Sequence, residues 1–270
     1  MNLTVARGRA GLLIVLCACS LSACGTLPSG RGWGEEATVR PGWERVRTSA
    51  VNAARDPWVW APLVGAAVFQ IDHWDRHTSD WARENTPIFG SEKSASDWSD
   101  YLVEAAAAAD VATVLATPSG ADAGEWWLNK GKGALVNAAA IASTDLTTGI
   151  LKPTVGRTRP NGNKNSFPSG HASSSAVLTR LSSRNLQSIK MSRGVRTTLD
   201  VSLYTITIAT SWARVEAGVH FPADVLAGMA LGNFFGSFFN DAFMGLDPSK
   251  TWVVLSPTEG GAIVQVHHRF

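Results

Sequence analysis

Seven polar residues and a glycine in the second half of the chain fall into three ordered segments. Lys152 is followed by six residues and then Arg159-Pro160. Pro168-Ser169-Gly170-His171 comes next, and Arg214 is followed by five residues, His220, three residues and Asp224. A phosphoryl group in transfer spreads negative charge over its equatorial oxygens, so chemistry on it is mostly positioning and electrostatic stabilisation. Lys152, Arg159 and Arg214 would supply three fixed cations, Arg through bidentate contact and Lys as a point charge. The Ser169 hydroxyl can donate to an oxygen. Gly170 lets a backbone N–H approach closely, and the segment opens a helix whose N-terminus favours an anion. Taken singly, each cation reads as surface solubility and each histidine as a satisfied core residue. Their joint spacing argues for a site.

The three segments resemble the motifs of the type 2 phosphatidic acid phosphatase (PAP2) family, which shares its site with bacterial class A acid phosphatases and vanadium haloperoxidases. The resemblance covers roughly residues 57–245, and its specificity lies in the eight matched positions. It implies a mainly α fold, a helical bundle of the PAP2/haloperoxidase type. It also implies that His220 is a nucleophile forming a phosphohistidine, that Lys152, Arg159, Ser169, Gly170 and Arg214 hold the phosphate, and that no metal or cofactor takes part. Asp224, four residues after His220, comes within reach if a helix starts near Pro222, and would then fix the imidazole tautomer. His171 reads as the general acid for the leaving alkoxide and then the base for water. Two features depart from the family pattern. Ala213 stands where a Ser often precedes the third-motif Arg, and the link Asn161 to Phe167 is short, which limits any lid in that loop.

The implied reaction is hydrolysis of phosphate monoesters or pyrophosphates, with lipid phosphates favoured over small periplasmic esters. Two other classes stay open. A vanadium-dependent haloperoxidase would use the same cation cage for vanadate. A non-catalytic envelope lipoprotein would bind phosphate without turnover and offer a C-terminal strand edge to a partner.

The lipid preference comes from the N-terminus. Arg7 and Arg9 precede a short apolar run from Gly11 to Leu21, followed by Leu21-Ser22-Ala23-Cys24-Gly25. This reads as a secretory signal, and its ending resembles a bacterial lipobox. Residues 1–23 are thus expected to be removed and Cys24 lipidated, which tethers the domain in the periplasm, at the outer membrane in preference to the inner. All three cysteines, Cys17, Cys19 and Cys24, lie in this segment, so the rest of the chain carries no disulfide framework. Losing Arg7 and Arg9, and no acid, takes the formal charge from +2 to neutral. Nucleic acid is therefore not an expected partner. Oligomeric state is not legible.

Residues 24–42, rich in Gly, Pro and Ser, read as a flexible tether. The domain is expected over 43–247. Helices are expected over 57–71, 97–117 with Asp97 as cap, 133–151, 171–183, 199–216 and 223–244. The last carries Gly228, Gly232 and Gly236 on one stripe, which permits close helix approach. The longest uncharged stretches among these helices hold 15, 13 and 16 residues, short of a membrane span, so the helices read as the buried core of a soluble bundle. Alternation over 248–270, around Thr258-Glu259-Gly260-Gly261, reads as a β-hairpin. His73 and His77, beside Asp72 and Asp75, read as a solvated helix face. Arg184, Lys190, Arg193 and Arg196 read as a loop, either solvated or meeting anionic lipid headgroups, and most Trp residues of the first half as core or pocket wall, although Trp can also sit at a membrane interface.

Overall fold

The computed structural model describes residues 25–245, together with the backbone of 251–258 and 261–268. Residues 1–24, where the signal and lipobox are expected, and residues 246–250 lie outside the described residues. Eight α-helices are present among them. They are α1 (Trp43–Arg55), α2 (Pro57–Val68), α3 (Trp74–Asn85), α4 (Glu92–Ala116), α5 (Ala123–Val155), α6 (Gly170–Ser188), α7 (Arg193–Glu216) and α8 (Pro222–Phe243), with a 3-10 turn at Ile71–His73. The mainly α architecture expected from the motifs is therefore present. Thr251–Thr258 (β1) and Gly261–His268 (β2) run antiparallel, Thr251 opposite His268.

Side-chain caps set most of the helix starts. Asp56, Ser91, Asp122, Ser169 and Ser192 each accept a hydrogen bond from a backbone N–H two or three residues on, which satisfies a donor the helix itself cannot. The same caps explain why two helices begin earlier than expected. Ser91 starts α4 ahead of Asp97, which instead pairs with Lys93 at i,i+4, 2.7 Å away. Asp122 starts α5 ten residues before 133, and the helix runs through Gly131 and Gly133 to a left-handed Gly156. Helix α1 has no counterpart in the sequence reading, and α3 only the helix face read at His73 and His77.

Helices α6 and α8 form the centre of the bundle. A Cβ at Gly228 would lie 2.6 Å from the Ser169 carbonyl oxygen, and one at Gly232 would collide with that of Ser173. The small-residue stripe thus brings the α8 backbone onto α6. The interior beside it is unusually polar. Ser173, Ser175, Thr179 and Ser182 are fully buried between Ala172, Ala176, Val177 and Leu181. Arg180 pairs with Asp56, and Arg184 with Asp241 at 3.0 Å, all within the protein. Arg184 is therefore a buried residue of α6, not part of a solvated loop.

The outer surface reverses the usual pattern. Trp58, Trp60, Trp74, Trp81, Trp98 and Trp127 are exposed, so these six are not core as expected. Helix α5 exposes Leu128, Leu135, Leu146 and Ile150. It is long and apolar enough to cross a membrane by length and composition, and only 28% of its most apolar window is buried. It is not the buried core helix that its composition suggests.

Residues 25–42 depart from a flexible tether. The Trp33 indole is fully buried against Gly133, where a Cβ would collide with the ring, and it lies 5.2 Å from the Lys130 ammonium. Trp33 N donates to the Pro118 carbonyl at 2.7 Å, and Thr38 N to that of Phe243 at 2.9 Å. One large aromatic fits a glycine notch, and the arm follows it. Trp33→Ala is expected to lower unfolding stability by about 3 kcal/mol, the usual cost of emptying a large aromatic site. Denaturant titration checks this, and an unchanged midpoint would mean the arm contributes nothing.

Candidate active site

The loop between α5 and α6 is built before any side-chain chemistry is added. Arg159 N donates to the Asn163 carbonyl at 2.7 Å, Gly162 N to that of Arg159 at 3.0 Å, and Ser166 N to that of Arg157 at 2.8 Å. These bonds fold 156–169 back on itself and bring Lys152, in the last turn of α5, beside the start of α6. Lys152 Nζ donates to the Asn165 carbonyl at 3.1 Å. Ser169 N donates to the Asp224 carbonyl at 2.9 Å, which fastens this loop to the start of α8. Arg214 is in the last turn of α7, and its carbonyl accepts from the His220 N–H at 3.3 Å. Every expected residue from 152 to 224 therefore comes to one end of the bundle.

The cations converge. Burial holds the Lys152 ammonium below its usual pKa, and the charges of Arg159 and Arg214 add to that effect. Arg214 is buried, donating from Nη1 to Ser99 Oγ at 2.9 Å. Its Nε and the Nε of Arg159 have no hydrogen-bond partner among the described residues. Buried donors of this kind are costly unless something accepts from them, and three cations drawn together repel one another until an anion joins them.

His220 is 2% exposed on its side chain. Its Nδ1 lies 3.7 Å from Asp224 Oδ2, longer than a hydrogen bond, and has no closer partner. The carboxylate therefore acts on the ring as a nearby charge. Burial dominates, and the imidazole is pushed down to about 4 despite Asp224. It is thus neutral at ordinary pH, the form in which a ring nitrogen has a lone pair to give. Asp224 is fully buried. Burial acts to raise its pKa, but His220, the Ser166 hydroxyl at 2.5 Å, Arg157 and the Phe221 N–H outweigh it and hold the carboxyl below its ordinary value.

Both shifts have the same consequence in acid. The unfolded chain takes up protons on His220 and Asp224 that the folded chain refuses, so stability falls as pH drops. The His220 contribution is lost between its ordinary 6.5 and about 4. The melting temperature of the protein is expected to fall through this window, and that of His220→Gln to fall less. Parallel curves for the two proteins would contradict it.

Ser169 caps α6 through its side chain, 3.5 Å from Ala172 N. A Cβ at Gly170 would meet only Lys152 Cε and Thr148 Cγ2, both at 4.0 Å. The protein does not demand a glycine there, and the space a methyl group would fill is beside the end of the Lys152 side chain. His171 is half-buried. Its Nε2 is 2.7 Å from Asp100 Oδ1 of α4. Burial lowers its pKa, Arg214 and Lys152 lower it further, and Asp100 opposes them.

Five further partners join this site without any motif to announce them. Arg157 Nη1 is 2.7 Å from Asp224 Oδ1, and its Nη2 is 2.5 Å from Asp75 Oδ2. Asp75 Oδ1 in turn accepts from Ala223 N at 2.8 Å. Asp75 is buried, so α3 is not a solvated face at this position, although His73 and His77 are exposed. The others are Ser166 on Asp224, and the adjacent pair Ser99 and Asp100 on Arg214 and His171. Arg157 has one signal in the sequence, its place two residues before Arg159.

Three cations, a buried neutral histidine and a Ser-Gly-His helix start meet at one end of the bundle, an arrangement chemically suited to a tetrahedral oxyanion. Residues 133–244 match the PAP2 superfamily, and the matched stretch contains all eight motif positions. The crystal structure of a transmembrane PAP2-type phosphatidylglycerolphosphate phosphatase from Bacillus subtilis is similar, with a TM-score of 0.51 and 19% sequence identity. The match covers 68% of this chain and 92% of that one. At that identity the likeness supports the fold. No curated protein matches the chain.

Proposed function

We propose that this chain is a phosphatase that hydrolyses phosphate monoesters or pyrophosphates of lipids, through a phosphohistidine at His220 and without a metal. The observation that carries this reading is the convergence of Lys152, Arg159 and Arg214 on a buried, neutral His220. The three cations, the Ser169 hydroxyl and the backbone at Gly170 hold the phosphoryl oxygens. Nδ1 of His220 faces Asp224, which leaves Nε2 to attack phosphorus. The N–P bond forms as the P–O bond to the leaving group breaks, and His171 gives its proton to the departing oxygen. A water molecule then attacks phosphorus, its proton passes to His171, and phosphate leaves His220. The cations act throughout as fixed charges.

The lipid preference is supported by apolar surface on both sides of the motif. A groove of about 310 Å³ runs from Phe167 and Pro168 along Leu151, Leu231 and Phe234. On the other side, Trp98 and Tyr101 are exposed next to Asp100 and pack edge to face, centroids 6.2 Å apart. The exposed apolar flank of α5 fits contact with a membrane surface, beside the anchor proposed at Cys24 in a bacterial envelope.

A panel of p-nitrophenyl phosphate, phosphatidate, an isoprenyl pyrophosphate and lipid A, assayed with EDTA present, tests the reading. Release of phosphate from the lipid esters that survives EDTA is expected. Activity strictly restored by a divalent metal would count against the cation-cage mechanism. Vanadate- and peroxide-dependent halide oxidation without phosphate release would favour the haloperoxidase class.

Gly170→Ala gives a finer check. The fold has room for the methyl group, so the melting temperature is expected to hold while KM for phosphate esters rises. An unchanged KM would mean the phosphate does not approach this backbone.

A further inference from the structure

We propose that Asp100 is the positioning carboxylate of His171, holding Nε2 so that Nδ1 is presented to the leaving oxygen and the ring can carry the proton it delivers. This rests on the phosphatase reading above. No sequence motif includes Asp100; it arrives from α4, 71 residues before its partner.

The argument begins with helix geometry. Consecutive residues of a helix point about 100° apart, so Ser99 and Asp100 can serve two different side chains. Ser99 is fully buried and accepts from Arg214 Nη1 at 2.9 Å. Asp100 stands at the surface side and meets His171 Nε2 at 2.7 Å. One turn of α4 therefore sets both a phosphate-binding cation and the proton donor. The backbone of the α3–α4 loop is held as well. Ile88 N and Phe89 N donate to the buried Glu216 carboxylate at 3.1 and 3.0 Å, two residues beyond Arg214. Helix α4 is thus tied to the α7 end of the site at two places.

Charge gives Asp100 its second effect. The charged groups that bear on His171 are Asp100 from α4, Arg214 from α7 and Lys152 from α5. Burial and both cations favour the neutral ring, and Asp100 is the one that favours the protonated ring. A general acid must hold its proton until the leaving oxygen takes it. A carboxylate on the far nitrogen supplies that while fixing which nitrogen carries the mobile proton. A surface ion pair of the same length with no such role would contribute little.

The test compares wild type, Asp100→Asn, Asp100→Ala and His171→Ala on two soluble esters, p-nitrophenyl phosphate and a short-chain phosphatidate. The nitrophenolate departs with little protonation, whereas the alkoxide of phosphatidate needs it. Asp100→Asn is expected to lose roughly tenfold to a hundredfold in kcat/KM on phosphatidate, which reports the step that expels the leaving group, within the range of a general-acid contribution, and only a few-fold on the nitrophenyl ester. Its alkaline limb of kcat/KM should move to lower pH, because removing the carboxylate lowers the His171 pKa. KM should not rise, because the change removes a negative charge from beside an anion site. Asp100→Ala should behave alike. Wild-type kcat/KM for Asp100→Asn on both esters would overturn the proposal, as would an equal loss on both with a raised KM, which marks a scaffold role. Inactivity of wild type on both would overturn the phosphatase reading and the proposal together. An active wild type therefore separates the two failures.

Discussion

His220→Ala is expected to abolish phosphate release, with a loss on the order of 10⁴-fold or more in kcat, because a covalent route has no substitute for its nucleophile. His220 is buried behind Asp224 and the Lys152 and Arg214 charges, and its backbone N–H is bonded to the Arg214 carbonyl independently of the side chain. The loop therefore has a reason to persist when the ring is removed. His220→Gln keeps more of the volume and separates loss of chemistry from collapse of a cavity. Both variants should still bind inorganic phosphate or vanadate, since the cations remain. Near-wild-type kcat in either variant on p-nitrophenyl phosphate would mean that another group attacks phosphorus.

The second large effect is expected at Arg157. Its guanidinium lies between two buried carboxylates, Asp75 and Asp224, at 2.5 and 2.7 Å, and its face covers the Phe221 ring, centroid 4.2 Å away. Arg157→Met removes the cation and leaves both carboxylates without it in the interior. Breaking a buried pair from one side typically costs about 3–5 kcal/mol, most of it the uncompensated charge. The variant should unfold at lower denaturant and lose activity, since Asp224 is held by the same contact. The sign of the pH effect follows from linkage. Asp224 is depressed in the folded wild type, so its contribution is present above its unfolded pKa and lost as pH falls through the folded one. The variant should therefore differ most from wild type near neutrality and converge with it in acid. Arg157→Met combined with Asp75→Asn should cost less than the sum of the two single changes. Denaturation of Arg157→Met at the wild-type midpoint would sink this account.

The eight residues that meet at one end of the bundle could be picked out in the sequence because their spacing is local and their types are few. Lys152 to Arg159, the Pro168–His171 run and Arg214 to Asp224 each span one turn or loop, and the helices that present them follow from Ser and Asp caps. The supporting residues were not legible for a corresponding reason. Asp75, Ser99 and Asp100 reach the site only through tertiary packing, and a charged residue in an amphipathic helix has the same local pattern whether it points to water or to Arg157. Burial failed in the same way. Ser173, Ser175, Thr179 and Arg180 look like an exposed face by polarity, yet they are interior, while Trp127 and Leu135 are outside. A bundle whose centre is polar and whose flank is apolar cannot be read from hydrophobic periodicity alone. The arm at 25–42 has turn-rich composition, and a single buried indole outweighs it.

The central claim is a covalent phosphohistidine, and its most direct measurement is rapid quenching into alkali of the wild-type protein turning over a ³²P-labelled phosphate ester. Phosphorus bound to imidazole survives alkali, so the label can be mapped by digestion. The expected result is label on the peptide containing His220, appearing before free phosphate and absent from His220→Gln. Turnover with no protein-bound label, or label on any other residue, would contradict it.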